Sequence, residues 1–217
     1  MVSAQLHLGL ETPPSFARDD FVVADANVEA VDRIDRLRTG ALALVGPEGV
    51  GKSHLSHAWA AEHGALIISA DAPPDALPPA PGPVLIEDAD RAATAPGELL
   101  FHLINRAAAP GSPLLLTARA APHDWPAALP DLRSRLNALP VAELAEPDEA
   151  ALAGLLTRFF RERGVAPTPE LTAFLLRRIE RSASAAREVV RRLDDAAHAT
   201  GRPLGRGLAR EVLGAEP

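Results

Sequence analysis

The feature that most constrains this chain is a glycine-rich loop at residues 46–53, which directly follows an apolar run. The run Ala41 to Val45 predicts a buried strand, and the loop matches the pattern G-x-x-x-x-G-K-S/T at every fixed position. The backbone of such a loop turns its N–H groups toward a phosphate chain, the lysine reaches the β- and γ-phosphates, and the serine holds Mg²⁺. The segment His54 to His63 predicts a helix whose positive end faces the anion. The sequence therefore predicts a nucleoside di- or triphosphate site that includes Gly46, Pro47, Glu48, Gly49, Val50, Gly51, Lys52, Ser53 and His54.

Length and composition restrict the class of protein. The chain has 217 residues and 47% hydrophobic content, which suits one medium domain or a domain with a small appendage. The net charge of -7 argues against a dedicated nucleic-acid-binding surface, although it does not exclude a local basic patch. The absence of cysteine excludes disulfides and thiolate metal sites. Without a signal-peptide pattern or a run of 18 apolar residues, we expect a cytoplasmic protein with no membrane partner.

Two acidic residues follow a further apolar strand, about 35 positions after the lysine of the loop. The run Val84 to Ile86 ends in Glu87 and Asp88, which is the second half of the NTPase signature. The first carboxylate is expected to hold the water shell of magnesium together with Ser53, and the second to orient an attacking water. Such enzymes more often have aspartate at the position of Glu87.

The remaining segments of this half alternate between strand and helix patterns. Further strands are predicted at 65–70, 113–117 and 141–144, with residues 71–82 as a proline-rich loop. Helices are predicted at 98–108 and over a short stretch at 131–136. Thr117 lies at the end of its strand. It either contacts the γ-phosphate or the attacking water, or it only caps the strand end.

The segment before the loop strand is the candidate for contacting the nucleotide base. It begins with apolar residues and continues as a helix whose inward positions are 28, 31, 34 and 37. Phe21, Val22 and Asn27 are therefore candidate base contacts. They are equally well explained as core residues and a helix N-cap.

From Pro147 onward the pattern is helical only. Helices are predicted over 148–163, from Thr168 and Pro169 to Ile179, from Ser182 or Ser184 onward, and over 208–213. Strands that alternate with helices, followed by helices alone, predict an α/β fold with a parallel sheet and a small helical lid. We place a tail at 1–14, a nucleotide-binding base domain at 15–145 and the lid at 146–217.

The tail contains leucines at every second position. Gln5 is followed by Leu6, Leu8 and Leu10, which share one side of an extended backbone. The segment is either an edge strand of its own domain or a linear motif for the groove of a partner, and spacing alone favours the edge strand.

Several segments together resemble a known family, over essentially the whole chain. They are the loop with Ser53-His54-Leu55, the Glu87-Asp88 pair, LFHLIN at 100–105, LLT at 115–117 and LPDLRSRL at 129–136. Their order is similar to the AAA+ module of the bacterial replication initiator DnaA, and most closely to the DnaA-related regulatory inactivators of the Hda (HdaA) type. The resemblance implies an AAA+ P-loop fold with a five-stranded parallel sheet, and ADP or ATP with Mg²⁺ as cofactor.

The resemblance also implies partners and roles. Arg135 matches the arginine finger that such a protein inserts into the ATP site of a neighbouring DnaA molecule. The tail resembles the QLxLxL peptide that docks on the β subunit of the DNA polymerase III sliding clamp, and this context favours a linear motif made of Gln5, Leu6, Leu8 and Leu10. The expected function is negative regulation of replication initiation near the nucleoid and replisome, with clamp-loaded DNA and a homodimer as further partners.

Two positions depart from the family pattern. The sensor-two arginine of the family aligns with Ser184, with Arg181 and Arg187 one helical turn to either side. The polar position two residues after Thr117 is Arg119. Both changes lead us to expect that ADP binds at least as well as ATP and that the chain hydrolyses ATP weakly. The alternatives are an autonomous ATPase, and a DnaA-like adaptor or helicase loader without finger activity.

Overall fold

The five predicted strands form one parallel sheet. The computed structural model describes residues 16–24, 26–92 and 97–214. The strand order is β2-β3-β4-β1-β5, and every pair is parallel. The strands are β1 (Ala41–Val45), β2 (Leu66–Ile68), β3 (Val84–Ile86), β4 (Leu114–Ala118) and β5 (Val141–Glu143). This confirms the predicted sheet.

The central strands are buried on both faces because helices cover both sides of the sheet. All residues of β4 are buried, as is β1 after its first residue, which fits their near-continuous apolar sequences. Ala41 lies opposite Leu114, and Val45 lies opposite Ala118. Parallel pairing brings the carboxyl ends of β1, β3, β4 and β5 to one edge, where the glycine-rich loop begins.

Strand β2 differs from the prediction. It was expected over residues 65–70, and the structure limits it to Leu66–Ile68. Leu66 is 49% exposed and Ile67 46% exposed. These two residues are exposed because β2 lies at the edge of the sheet and pairs only with β3. An apolar run alone does not distinguish an edge strand from a central one.

The helices of this half form two layers. Helices α1 (Val28–Asp35) and α2 (Lys52–His63) pack on one face of the sheet, and α4 (Glu98–Ala107) and α5 (Pro130–Asn137) pack on the other. Three short 3-10 turns and the one-turn helix α3 (Ala89–Ala92) were not predicted; the turns are Arg18–Asp20, Pro74–Ala76 and Pro122–Asp124. In α1, Val31 and Ile34 face the core as expected, whereas Val28 is half exposed.

The lid consists of four helices around a core of its own. They are α6 (Glu149–Glu162), α7 (Pro169–Leu176), α8 (Ala183–Thr200) and α9 (Arg206–Val212). Side chains of Asp148, Thr168 and Ser182 accept hydrogen bonds from backbone N–H groups in the first turns of α6, α7 and α8. Helix α7 ends three residues before the predicted Ile179.

Two further expectations concern the tail and the passage of the chain through a membrane. The tail at 1–14, with Gln5, Leu6, Leu8 and Leu10, lies outside the described residues. Among the helices that the structure describes, none is long and apolar enough to cross a membrane.

Candidate nucleotide site between the sheet and the lid

A cavity of about 440 Å³ lies between the carboxyl edge of the sheet and the lid. Of the predicted nucleotide-binding residues, those that line it are Phe21, Val22, Asn27, Glu48, Gly49, Val50, Gly51, Lys52, Ser53, His54 and Thr117. Gly46 and Pro47 do not line the cavity, but their carbonyl groups hold the lysine of the loop. The structure thus brings the predicted loop, the strand ends and the N-terminal segment to one place.

The backbone of the loop leaves no room for side chains at two glycines. A Cβ atom on Gly46 would lie 2.2 Å from the carbonyl oxygen of Leu144, at the end of β5. A Cβ atom on Gly49 would lie 2.3 Å from Oγ of Ser184, in the lid. Both glycines have positive φ, 152° and 79°, which a residue with a side chain rarely adopts. This tight backbone is the cradle that a phosphate chain requires.

Lys52 lies at the centre of the loop. Its Nζ donates hydrogen bonds of 2.7 Å to the carbonyl oxygens of Gly46 and Pro47. Burial lowers the pKa of Lys52, as does nearby Arg119, whereas the carboxylates of Asp88, Asp90 and Glu48 raise it. An ammonium group has three donors, so one remains for a phosphate oxygen in addition to these two carbonyls.

The two predicted acidic residues have different surroundings. Asp88 lines the cavity, and its backbone N–H donates to Oγ1 of Thr117 at 3.3 Å. Thr117 is only 3% exposed, so its hydroxyl is both a support for Asp88 and part of the cavity wall. Glu87 does not line the cavity, and its Oε2 lies 2.9 Å from Nε2 of His57 on α2.

The residues fit a magnesium ion that is bound together with phosphate. Ser53 is exposed at the start of α2, and both it and Asp88 line the cavity. Magnesium keeps several waters and takes one or two protein oxygens plus phosphate oxygens in such sites. In the described ranges, no group of three or more His, Asp or Glu side chains could hold a metal by itself. The oxygen donors present suffice only when a phosphate contributes.

The N-terminal segment forms the apolar end of the cavity. Nδ2 of Asn27 donates to the carbonyl of Val22 at 2.9 Å, and its Oδ1 accepts from the N–H of Ala24 at 2.9 Å. The side chain of Asn27 therefore shapes this turn and does not cap α1. Phe21 packs against the loop, because a Cβ on Gly51 would lie 3.1 Å from its ring. Of the three candidate base contacts, Phe21 and Val22 are those that offer the cavity an apolar side chain.

The lid contributes cations to the cavity. Of the two arginines near Ser184, Arg187 lines the cavity and Arg181 does not. The Arg187 guanidinium lies 4.3 Å from the centre of the Phe159 ring and 3.5 Å from a carboxylate oxygen of Glu162. A cation therefore reaches the cavity from α8, although the alignment with the family placed Ser184 at that position.

Two further arginines line the same cavity. Arg119, at the end of β4, forms a 2.8 Å ion pair with Glu48 of the loop. Arg158, on α6, was not among the predicted site residues. Its helical spacing with Leu155 and Phe159, which also line the cavity, is the signal that could have identified it, since positions i, i+3 and i+4 share one face.

The lid is attached to the loop through the start of α8. The N–H groups of Ala183 and Ser184 donate to the carbonyl of Gly49 at 3.1 and 3.4 Å. Oγ of Ser182 lies 3.1 Å from Oγ of Ser184. The start of α8, the helix that carries Arg187, is therefore fixed to the backbone of the loop.

Arg133 and Arg135 of α5 have unlike environments. Arg133 donates to the carbonyls of His123 and Trp125, which ties α5 to the preceding turn. Arg135 is exposed, and its guanidinium forms no hydrogen bond or ion pair with the residues that the structure describes. It lines a separate groove of about 610 Å³ with Gly40 and Pro140, which precede β1 and β5. Arg135 thus lies at the amino edge of the sheet, opposite the cavity.

Solved structures of AAA+ proteins share this fold. Domain III of the replication initiation protein DnaA from Thermotoga maritima has a TM-score of 0.79 and 18% identity, over 92% of this chain and 96% of that chain. The Holliday junction branch migration motor RuvB from Thermotoga maritima has a TM-score of 0.70 and 17% identity, over 92% of this chain and 71% of that chain. A DNA replication initiation factor has a TM-score of 0.68 and 16% identity, over 82% and 64%.

Comparison of the sequence itself gave no relative. No protein-family model matches it, and no curated protein matches it. At identities below 20%, the structural likeness concerns the fold. The chain has the AAA+ P-loop NTPase fold, a five-stranded parallel sheet with flanking helices and a C-terminal helical region.

Proposed function

We propose that this chain binds ADP or ATP with Mg²⁺ in the cavity and restrains replication initiation by presenting Arg135 to the ATP of a neighbouring DnaA molecule. The observation that carries the proposal is the environment of Arg135. This guanidinium is exposed, has no partner among the described residues, and lies at the edge of the sheet opposite the cavity. An arginine so placed is available to a nucleotide held by another molecule.

The chemistry of phosphoryl transfer explains why a free arginine matters. Negative charge is redistributed over the transferred phosphoryl group in the transition state, and a fixed cation beside it lowers the barrier. An arginine supplied in trans is worth about 10³–10⁵ in rate. Helix α5 is held in place by the bonds of Arg133 to the carbonyls of His123 and Trp125, so the Arg135 backbone is positioned before a partner arrives.

The likeness to DnaA domain III supports DnaA as the partner. That domain and this chain match over 96% and 92% of their lengths. A chain of the same fold and size can take the place of a DnaA neighbour in an AAA+ assembly. The same surfaces would serve a homodimer of this chain.

The sliding clamp is the second proposed partner. Burial of the three leucines of the tail is worth at most about 1.5–3 kcal/mol each, and the ordering of the tail and the loss of translational freedom offset much of this. The tail alone should therefore bind the clamp weakly. A second contact, with DnaA on clamp-loaded DNA, would make the complex stable.

Hydrolysis of ATP that is bound to DnaA tests the proposal. The reaction is followed with purified protein, clamp and DNA, and with each component omitted in turn. We expect hydrolysis to accelerate only when this protein and clamp-loaded DNA are both present. Equal rates with and without this protein would reject the inactivator role and favour the adaptor or helicase-loader alternative.

An autonomous ATPase is the second candidate function. It is favoured by Arg158 and Arg187 in the cavity, together with Ser53 and Asp88. Weak hydrolysis was expected for two reasons, the serine at position 184 and the arginine at position 119. Because Arg187 brings a cation to the cavity in place of an arginine at 184, only the reason at Arg119 remains. Sustained turnover of about 1 s⁻¹ or more by the protein alone at saturating ATP, in the range of ordinary enzymes, would favour this candidate.

A further inference from the structure

The side chain of Glu87 is bound to a histidine and not directed to the cavity. Its Oε2 lies 2.9 Å from Nε2 of His57, and both side chains are about one-third exposed or less. Glu87 directly follows β3, and Asp88, the next residue, lines the cavity. Of the two carboxylates that the sequence offers to a nucleotide-bound cation, only Asp88 therefore lines the cavity.

His57 is held from its other side by the N-terminal segment. The centre of the Phe16 ring lies 4.7 Å from the centre of the His57 ring, at an interplanar angle of 30°. The His57 imidazole thus contacts an aromatic ring that lines the cavity and a carboxylate that does not. Removal of either contact would free the ring to adopt another rotamer.

The N-terminal segment is itself attached to α1 and α2. The Phe16 and Phe21 rings lie 5.8 and 5.7 Å from the ring of His54, and Nε2 of His54 lies 3.0 Å from the carbonyl oxygen of Ala17. Arg18 forms a 2.8 Å ion pair with Asp35 at the end of α1. Residues 16–21 therefore form a strap across the start of α2, and Phe16 is the part of the strap that reaches His57.

We propose that His57 is a positioning residue that holds Glu87 away from the cavity, and that the strap of residues 16–21 keeps it there through Phe16. The inference rests on nucleotide binding in the proposed function. A divalent cation bound with the nucleotide is then served by Ser53 and Asp88, while Glu87 is withheld. Displacement of the strap releases His57 and with it the second carboxylate, so the strap controls how strongly Mg²⁺ supports nucleotide binding.

The test is a binding titration of the full chain with a fluorescent ADP analogue. Affinity is measured in Mg²⁺ and in EDTA. The dissociation constant in EDTA divided by the dissociation constant in Mg²⁺ is called the magnesium gain. We expect His57→Ala to increase this gain about tenfold, a difference of about 1.4 kcal/mol, with the affinity in EDTA unchanged within about twofold. Phe16→Ala should increase the gain in the same direction by a smaller factor.

A double variant identifies the released group. In His57→Ala/Glu87→Gln the gain should return to that of the wild type, because the amide cannot serve a cation as the carboxylate does. His63→Ala is the matched control, since His63 lies on the same helix and stacks on Trp59, away from the cavity. It should leave the gain unchanged.

Three results would overturn the inference. The first is an unchanged or reduced gain in His57→Ala, and the second is a gain that stays high in the double variant. The third comes from ¹⁵N NMR of the histidine rings, in which Glu87→Gln should shift the His57 Nε2 signal; no shift would show that the pair does not exist in solution. The NMR result and Phe16→Ala keep the test valid if His57→Ala fails to fold.

The same titration separates this inference from the proposed function. A wild-type chain that does not bind the ADP analogue at all contradicts the nucleotide site itself. A wild-type chain that binds it, with no response to His57→Ala, contradicts only the role of His57.

Discussion

At the scale of single residues, the cavity is shaped by backbone that tolerates no side chain. Gly46 makes the closest approach, because a Cβ there would lie 2.2 Å from the backbone oxygen of Leu144, which directly follows β5. A backbone atom cannot rotate away as a side chain does. The site and the stability of the sheet edge are therefore coupled at this position.

Gly46→Ala should destabilise the protein more than Gly64→Ala does. Both glycines have positive φ, but the space around a Cβ at Gly64 is open to 4 Å. Gly64→Ala should lower the free energy of unfolding by about 1–2 kcal/mol, the cost of left-handed backbone for a residue with a side chain. Gly46→Ala should cost about 1–3 kcal/mol more for the overpacking and should also weaken ADP binding. Denaturant unfolding and ADP titration of both variants measure this, and equal losses would contradict the coupling.

Arg187 and Arg181 offer a matched pair in the lid. Only Arg187 lines the cavity, and loss of a hydrogen bond to a charged group costs about 1.5–3 kcal/mol. We expect Arg187→Ala to weaken ATP binding about tenfold or more, while Arg181→Ala changes it by less than about twofold. Calorimetric titration with ATP and ADP decides this. If Arg181→Ala had the larger effect, the lid would bind nucleotide in another arrangement.

The sequence predicts some site residues better than others, for a physical reason. The loop at 46–53 is recognisable because its glycines and lysine act through local backbone geometry. The roles of Arg158 and Arg187 depend on how α6 and α8 pack against the loop, which a single sequence does not contain. The His57–Glu87 pair joins residues 30 positions apart, and no local pattern indicates it.

At the scale of elements, apolar runs bounded by glycine or acidic residues predicted the central strands well. β1 and β3 begin and end at the predicted residues. β2 is shorter than predicted, and two of its three residues are exposed, as its position at the edge of the sheet allows. The lid helices α6, α7 and α8 begin next to Asp148, Thr168 and Ser182, whose side chains cap them. The 3-10 turns are too short for a periodic pattern, so they were not predicted.

The tail is the element on which the proposed clamp docking depends. Deletion of Gln5 to Leu10 should abolish binding to the sliding clamp, because an extended peptide with alternate leucines supplies the side chains for pockets in a partner groove. The melting temperature should change by less than about 2 °C, as expected for a change of a few tenths of a kcal/mol. Binding to surface-immobilised clamp measures the first effect, and thermal unfolding measures the melting temperature. A large loss of stability would show that the tail is a strand of its own domain.

At the scale of the whole molecule, the two edges of the sheet carry different candidate sites. The cavity lies at the carboxyl edge, under the lid, and Arg135 lies at the amino edge beside the start of β1. In an assembly, one chain could therefore face one neighbour with its cavity and another neighbour with Arg135. This arrangement separates the nucleotide site that we propose for this chain from the arginine that we propose acts on the nucleotide of a neighbour.

The two arginines of α5 distinguish a finger from a structural contact. Arg133→Ala should lower stability, since two carbonyls lose their donor, and should reduce stimulation of DnaA far less than a change at Arg135. Arg135→Lys should remain defective, because lysine lacks the planar fork of donors. If Arg133 were the indispensable residue, the finger would be assigned to the wrong face of α5.

The most direct measurement of the central claim is the rate at which DnaA-bound ATP is hydrolysed in the presence of Arg135→Ala and clamp-loaded DNA. We predict a loss of stimulation of at least about 10²-fold relative to the wild type, with ADP binding, clamp binding and melting temperature retained. Stimulation equal to that of the wild type would contradict the account.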